Sequence, residues 1–317
     1  RDAFDGLTIM DSITRSRPKK NPATSIEPAS KPQKNSGCHG VFCEIPREDS
    51  PPEPLFEREK ISPPFWGAKD VEVGLEDLIR LLEPQPLFQA RWKFHQGKMD
   101  DMEYRAMIDR DAKPALDRLL DEMRKRSVVR PRARYGYFSC KSDGDCIVVK
   151  PVGGKRSFSW EFPRSSQSAG VCLSDFVSKR GDDSIVLWAV TVGQEAEDFA
   201  KMHFKQDRYK DYLFWTGLLA ELTDCGAEFI QRWVTEEVQG ESELKRISEA
   251  GWSMPCRGKR FSFGYPACPE LSFQKQLLKA LNAESIGIAM TENYQMVPEN
   301  SVSGLLFLNE AAHYFSM

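Results

Sequence analysis

Arg260-Phe-Ser-Phe-Gly264-Tyr265-Pro266-Ala267-Cys268-Pro269 is the stretch whose reading decides this chain. A fixed cation stands four residues before a glycine, a phenol follows the glycine, and two prolines restrict what comes after. Glycine admits a close backbone approach, and proline fixes φ and removes a donor. Arginine presents a planar fork that matches a carboxylate. Two readings fit the stretch alone: a proline-braced loop with an ordinary surface arginine, or a binding loop with Arg260 as its anion contact. A second block near the C-terminus runs from Thr291-Glu292-Asn293 through Met296, Pro298 and Ser301-Val-Ser-Gly304 to His313-Tyr314-Phe315-Ser316.

Taken in order, the two blocks resemble the C-terminal reactivation domain of cobalamin-dependent methionine synthase. That family's loop reads Arg-x-x-x-Gly-Tyr-x-Ala-Cys-Pro, matched by Arg260, Gly264, Tyr265, Ala267, Cys268 and Pro269. Its later segment reads Thr-Glu-Ser-x-x-Met-x-Pro-x-x-Ser-Val-Ser-Gly, and the departure here is Asn293 for Ser. The resemblance covers residues 55–317 and implies a single C-shaped α+β domain, a twisted antiparallel sheet with surrounding helices. It implies binding of S-adenosylmethionine (AdoMet). Arg260 would hold the AdoMet carboxylate, and Ser262 would present backbone to the adenine. Tyr265 and Tyr314 would line the nucleoside and methyl-donor end, and Phe315 keeps a ring where longer members have Tyr. Glu83 stands where the family has Asp, ahead of Pro86-Leu87-Phe88, and would meet the cationic methionine part. Asp224 falls where some members have Glu; a solvated helix carboxylate is the other reading of it.

The resemblance also implies a role. Cobalamin, held by an upstream module, would be restored after oxidation by an electron from flavodoxin or another donor and a methyl group from AdoMet. The enzyme would be a methyltransferase of methionine biosynthesis, methionine synthase, with this chain alone not expected to make methionine. Neither a corrin-binding Asp-x-His-x-x-Gly loop nor the zinc-binding cysteines of a homocysteine module occurs in the chain. Sulfonium is an activated leaving group, so the domain's work is positioning, with no general acid or base expected. A reading of a different class is a non-catalytic AdoMet-sensing or docking module of a larger corrinoid protein.

Composition agrees with a water-soluble globular chain. The 317 residues are 40% hydrophobic and 29% charged, enough for one or two domains. Net charge is −3 and the pI about 6.0, so no global field favours nucleic acid or a membrane surface. No apolar run approaches the ~20 residues of a membrane helix. Eight cysteines without a Cys-x-x-Cys point to reduced thiols and a cytoplasmic setting. Cys38, His39 and Cys43 lack a second pair at zinc spacing, so no metal is expected there. A start at Arg1, with no signal peptide behind it, reads as a fragment of a longer chain.

Along the chain, residues 1–14 read as the tail of a helix and resemble the end of the family's cobalamin-binding module. Residues 15–54, rich in Pro, Ser, Lys and Asn, read as a flexible linker. The domain would begin near Leu55-Phe56 and Pro63-Pro64-Phe65-Trp66. Leu75, Leu78, Ile79, Leu81 and Leu82 recur at helical spacing, and Glu83-Pro84 ends that helix, leaving an acid at its C-terminus. Leu87, Phe88 and Trp92 predict another short helix, and residues 99–126 a helix with a break or restart at Pro114. Strands are predicted over 134–140, 146–150, 157–162, 184–192, 286–289 and 302–308. Helices are predicted over 194–206, 208–238 and 274–281. Cys140 and Cys146 flank Ser142-Asp-Gly-Asp145, a hairpin turn with a thiol on each side. Gly153-Gly154-Lys155 reads as another turn, lacking the upstream glycine of a Walker loop. No Gly-x-Gly-x-x-Gly follows a strand and no His-Glu-x-x-His occurs, so dinucleotide and zincin folds are not supported.

Overall fold

The structure, a computed structural model, describes residues 61–153, 156–239 and 256–317. The expectations for residues 1–14, 15–54 and Leu55-Phe56, for the Cys38, His39, Cys43 cluster, and for Gly154-Lys155 lie outside the described residues.

One strand organises the sheet. β2 (Arg132–Asp143) is 12 residues long and pairs along nearly its whole length with β5 (Asp183–Thr191). Its other edge is shared: the first half pairs with β1 (Gly67–Val71), the second with β3 (Cys146–Lys150). β4 (Phe158–Glu161) adds outside β3. On the far side β9 (Ser301–Phe307) pairs with β5, and β6 (Lys259–Ser262) closes that edge. Every pairing in this seven-stranded sheet is antiparallel. A small hairpin, β7 (Ala289–Met290) and β8 (Met296–Val297), precedes β9.

Side chains alternate across a strand, so odd and even residues bury on opposite faces. Tyr135, Tyr137, Val186, Trp188 and Leu306 join one core; Phe138, Cys140, Leu187, Leu305 and Phe307 join the other. Both faces of β5 are therefore covered, which explains its unbroken apolar run. The first core is roofed by α1 (Leu75–Leu81), α2 (Asp101–Met107), α3 (Lys113–Arg126), α4 (Gln194–Lys205) and the 31-residue α5 (Tyr209–Gln239). The second is covered by α6 (Gln274–Leu281) and the C-terminal residues. The architecture is α+β with helices packed around an antiparallel sheet, as the strand and turn pattern implies.

The helix predicted over 99–126 restarts at Pro114, which stands in the first turn of α3. A π-helical turn at Ile108–Ala112 joins α2 to α3. Proline lacks the N–H that the carbonyl four residues earlier would accept and its ring crowds that carbonyl; a widened turn accommodates both. Two edge strands, β1 and β6, escape a sequence reading. Their burial patterns show mostly half-exposed or exposed residues, so no clean alternation marks them. The strand expected at 286–289 is corrected: Ala283–Ile286 is a 3₁₀ turn, Gly287 is left-handed, and only Ala289–Met290 pairs. Ile286 and Ile288 are buried, so their apolar character reports core contact and not extended backbone. Cys140 and Cys146 do flank a tight hairpin, with Asp143 opposite Cys146, and no disulfide forms among the six described cysteines.

Candidate functional site

The site forms along edge strand β6. Arg260 and Ser262 lie on it, opposite Leu306 and Gly304 of β9. Gly304 is required there: a Cβ would stand 2.5 Å from the Phe261 carbonyl oxygen and 2.8 Å from the Trp188 ring. After Ser262 the chain turns sharply at Gly264, whose φ of 90° favours glycine. The turn closes on itself, with Gly264 N donating to Cys268 O and Cys268 N to Tyr265 O, both at 2.8 Å. Pro266 and Pro269 stiffen it, the buried Cys268 anchors it, and burial pushes the Cys268 thiol well above its usual range.

Beside β6 lies a cavity of about 820 Å³. Arg260, Ser262, Tyr265, Tyr314 and Phe315 all line it, and so does Asp224 from α5. Six of the seven residues singled out in the sequence thus meet at one place. Tyr265 and Tyr314, at 67% and 62% exposure, stand at its open side as aromatic surfaces without burial of their own. The C-terminal strap bearing Tyr314 and Phe315 is held from both ends. Phe261 packs against both rings at 5.4 and 6.4 Å, and the Ser316 carbonyl accepts from Ser165 and Ser168.

Arg260 is no surface arginine. Its side chain is 22% exposed, and the neighbouring turn of α5 grips it. Gln231 Oε1 accepts from Nε and Glu228 Oε2 from Nη2, both at 2.7 Å. Glu228 also pairs with Arg232 at 3.0 Å and accepts from the Cys256 thiol at 3.6 Å. Burial first, then the Glu228 charge, pushes that thiol up to about 11. One turn before Glu228, Asp224 pairs with Arg91 at 2.7 Å, and Glu221 reaches the same guanidinium at 3.5 Å. Burial foremost, with the Asp224 charge, raises the Glu221 carboxyl above its ordinary range. A guanidinium and a carboxylate, Arg260 and Asp224, therefore share one cavity wall.

Glu83 does not line the cavity. It is exposed at the N-cap of the helical turn Pro84–Pro86, and its charge reaches Glu221. Glu83 follows the C-terminus of α1 by two residues and makes no side-chain cap bond to the turn it precedes. Sequence reading missed Glu228, Gln231 and Arg91. Each looks like an ordinary helical polar residue, and only tertiary packing sets them against Arg260 and Asp224. Among the described residues no group of three His, Cys, Asp or Glu side chains is placed to hold a metal ion. No described helix is long and apolar enough to cross a membrane.

Residues 74–317 match the family described as vitamin B12 dependent methionine synthase, activation domain. The chain belongs to this family. Methionine synthase of Mycobacterium tuberculosis is 30% identical over 352 residues, and that of Mycobacterium leprae 27% over 354. Each alignment takes in 100% of this chain and 29% of the relative, so the chain spans under a third of those proteins. A solved structure, the MetH reactivation domain bound to AdoHcy, shares the fold with a TM-score of 0.67 at 24% identity. The match covers 82% of this chain and 83% of that one. A B12 activation domain is thus the family context for the cavity beside β6.

Proposed function

We propose that the cavity beside β6 binds S-adenosylmethionine, and that the domain presents its methyl group for the reductive reactivation of a cobalamin held elsewhere in a methionine synthase. The observation that carries this reading is the presence of both Arg260 and Asp224 in the lining of one cavity of about 820 Å³. An α-amino acid offers a carboxylate and an ammonium on one carbon, and a guanidinium beside a carboxylate is its charge complement. The volume lies within the ~300–1,000 Å³ usual for small-molecule sites. Family membership and the AdoHcy in the solved relative's title support the choice of ligand.

AdoMet supplies an electrophilic methyl on a sulfonium. The chain's residues bind and orient it: Arg260 takes the carboxylate and Asp224 the ammonium. The exposed rings of Tyr265 and Tyr314 shield the nucleoside while leaving the donor end accessible. Ser262, on the strand beside Gly304, offers backbone to the adenine. Glu83 contributes at a distance, through the acidic group around Glu221. No side chain in the cavity is required to move a proton, since methyl transfer from a sulfonium needs alignment alone. A cobalamin module and an electron donor such as flavodoxin complete the assembly in this proposal, and the cytoplasm is its setting.

Calorimetric titration of the full chain with AdoMet and with S-adenosylhomocysteine tests the reading. Saturable binding of both is expected. No heat and no thermal shift at millimolar ligand would overturn it.

A further inference from the structure

An arginine has two edges that can grip a carboxylate: a side edge, Nε with Nη2, and an end edge, Nη1 with Nη2. In this protein the side edge of Arg260 is taken, by Gln231 on Nε and Glu228 on Nη2. Among the described residues no hydrogen bond takes the end edge, and Arg260 lines the cavity. The grip is oriented without ambiguity. Gln231 is buried, and its Nε2 donates to the Arg257 and Gly258 carbonyls at 3.3 and 3.2 Å. Carbonyls accept only, so the amide oxygen must face Arg260. The two holders differ in one respect that matters to a ligand. Gln231 is neutral, whereas Glu228, shared with Arg232, places a carboxylate 2.7 Å from Nη2, on the edge adjoining the end edge.

We propose that Glu228 and Gln231 are positioning residues that set how strongly Arg260 holds the carboxylate of a nucleoside-linked amino acid. Gln231 fixes the plane of the guanidinium, and Glu228 weakens its pull by partial neutralisation. Arg260 is thereby an oriented but tempered anion contact, and the charge beside it determines selectivity for ligands that carry the amino-acid tail. This rests on the ligand class proposed above.

The test compares two nucleosides on the full chain. S-adenosylhomocysteine carries the amino-acid tail, and 5′-methylthioadenosine lacks it. The readout is the ratio of their dissociation constants, measured calorimetrically for the parent, Glu228→Gln and Gln231→Glu. Glu228→Gln keeps an acceptor for Nη2 and removes the charge. It should raise the preference for the tailed nucleoside by about two- to fivefold, the scale of a partly exposed ion pair. Gln231→Glu adds a charge beside the same guanidinium and should lower the preference by about as much. A merely structural role moves both nucleosides together and leaves the ratio unchanged. An unchanged ratio, or a lowered one in Glu228→Gln, overturns the inference while leaving the ligand assignment standing. If Gln231→Glu does not fold, because the Arg257 and Gly258 carbonyls lose their donor, Glu228→Gln decides alone. Failure of the parent chain to bind either nucleoside overturns the proposed function, and the inference with it.

Discussion

In the proposed function Arg260 carries the contact to the ligand's carboxylate. Its replacement by Ala should weaken AdoMet binding by about 10–100-fold, from loss of ~1.5–3 kcal/mol of charge-assisted hydrogen bonding. Lys should restore only part, since it brings charge without the planar fork. Calorimetry of the two variants checks this, with far-ultraviolet circular dichroism confirming the fold. A second residue makes a statement about pH. His203, on α4, is 1% exposed, and neither ring nitrogen has a hydrogen-bond partner among the described residues. Burial first, and then the Arg208 charge, hold its pKa below the ordinary value; Asp211 and Glu122 oppose this and Arg118 adds to it. The unfolded chain therefore binds this proton more readily than the folded one. The neutral ring's stability is fully present above the ordinary histidine range and is lost as pH falls towards the folded pKa. Urea midpoints at pH 7.5 and 5.5 should differ less in His203→Leu than in the parent. An identical pH dependence in the two would show that His203 is not the coupled group.

At the scale of elements, the site depends on how closely β6 approaches β9. Gly304 permits it, with the Phe261 carbonyl 2.5 Å from where a Cβ would stand. Gly304→Ala should cost about 1–3 kcal/mol of stability, the range of overpacked cores. It should also weaken ligand binding, because Arg260 and Ser262 ride on the displaced strand. Chemical denaturation and calorimetry on one preparation would check both; a variant with parental stability would mean the edge yields without strain. The long helix α5 supplies Asp224 to the cavity lining and both acceptors of Arg260. Asp224 and Glu228 stand one turn apart on it, the first lining the cavity and paired with Arg91, the second paired with Arg260. Its C-terminal turns are fixed to the sheet by Glu237, which accepts from Tyr135 and Tyr137 at 2.8 and 3.0 Å. Burial dominates in raising both phenols far above their ordinary range, so they act as donors to Glu237 throughout the neutral pH region.

For the whole molecule, ligand binding and folding are linked. A ligand that binds only the native state stabilises it by about 2.7 kcal/mol at one hundred times its dissociation constant. AdoMet should therefore raise the melting temperature with concentration. A chelator should leave that shift unaltered, because the proposed contacts are side-chain charges, rings and backbone. Differential scanning fluorimetry with and without EDTA checks this, and loss of the shift on chelation would point to a metal in the site.

The sequence by itself determined the class of the fold and most of the cavity's lining. Apolar alternation and turn residues are local properties, so the antiparallel strands, the hairpin at Cys140–Cys146 and the helices flanking β5 were all legible. So were Arg260, Ser262, Tyr265, Tyr314 and Phe315, because the loop chemistry around Gly264 and the Ser301–Gly304 segment carry a recognisable pattern. Tertiary structure alone decided the rest. Edge strands β1 and β6 draw their order from a neighbour's backbone, which no periodicity in their own side chains records. Glu83 is an acid before Pro84 in sequence, but whether it enters the cavity depends on the packing of the turn it caps. Glu228 and Gln231 are two polar positions among many on α5. Their contact with Arg260 exists only because β6 lies against that helix, where a largely buried guanidinium must find acceptors.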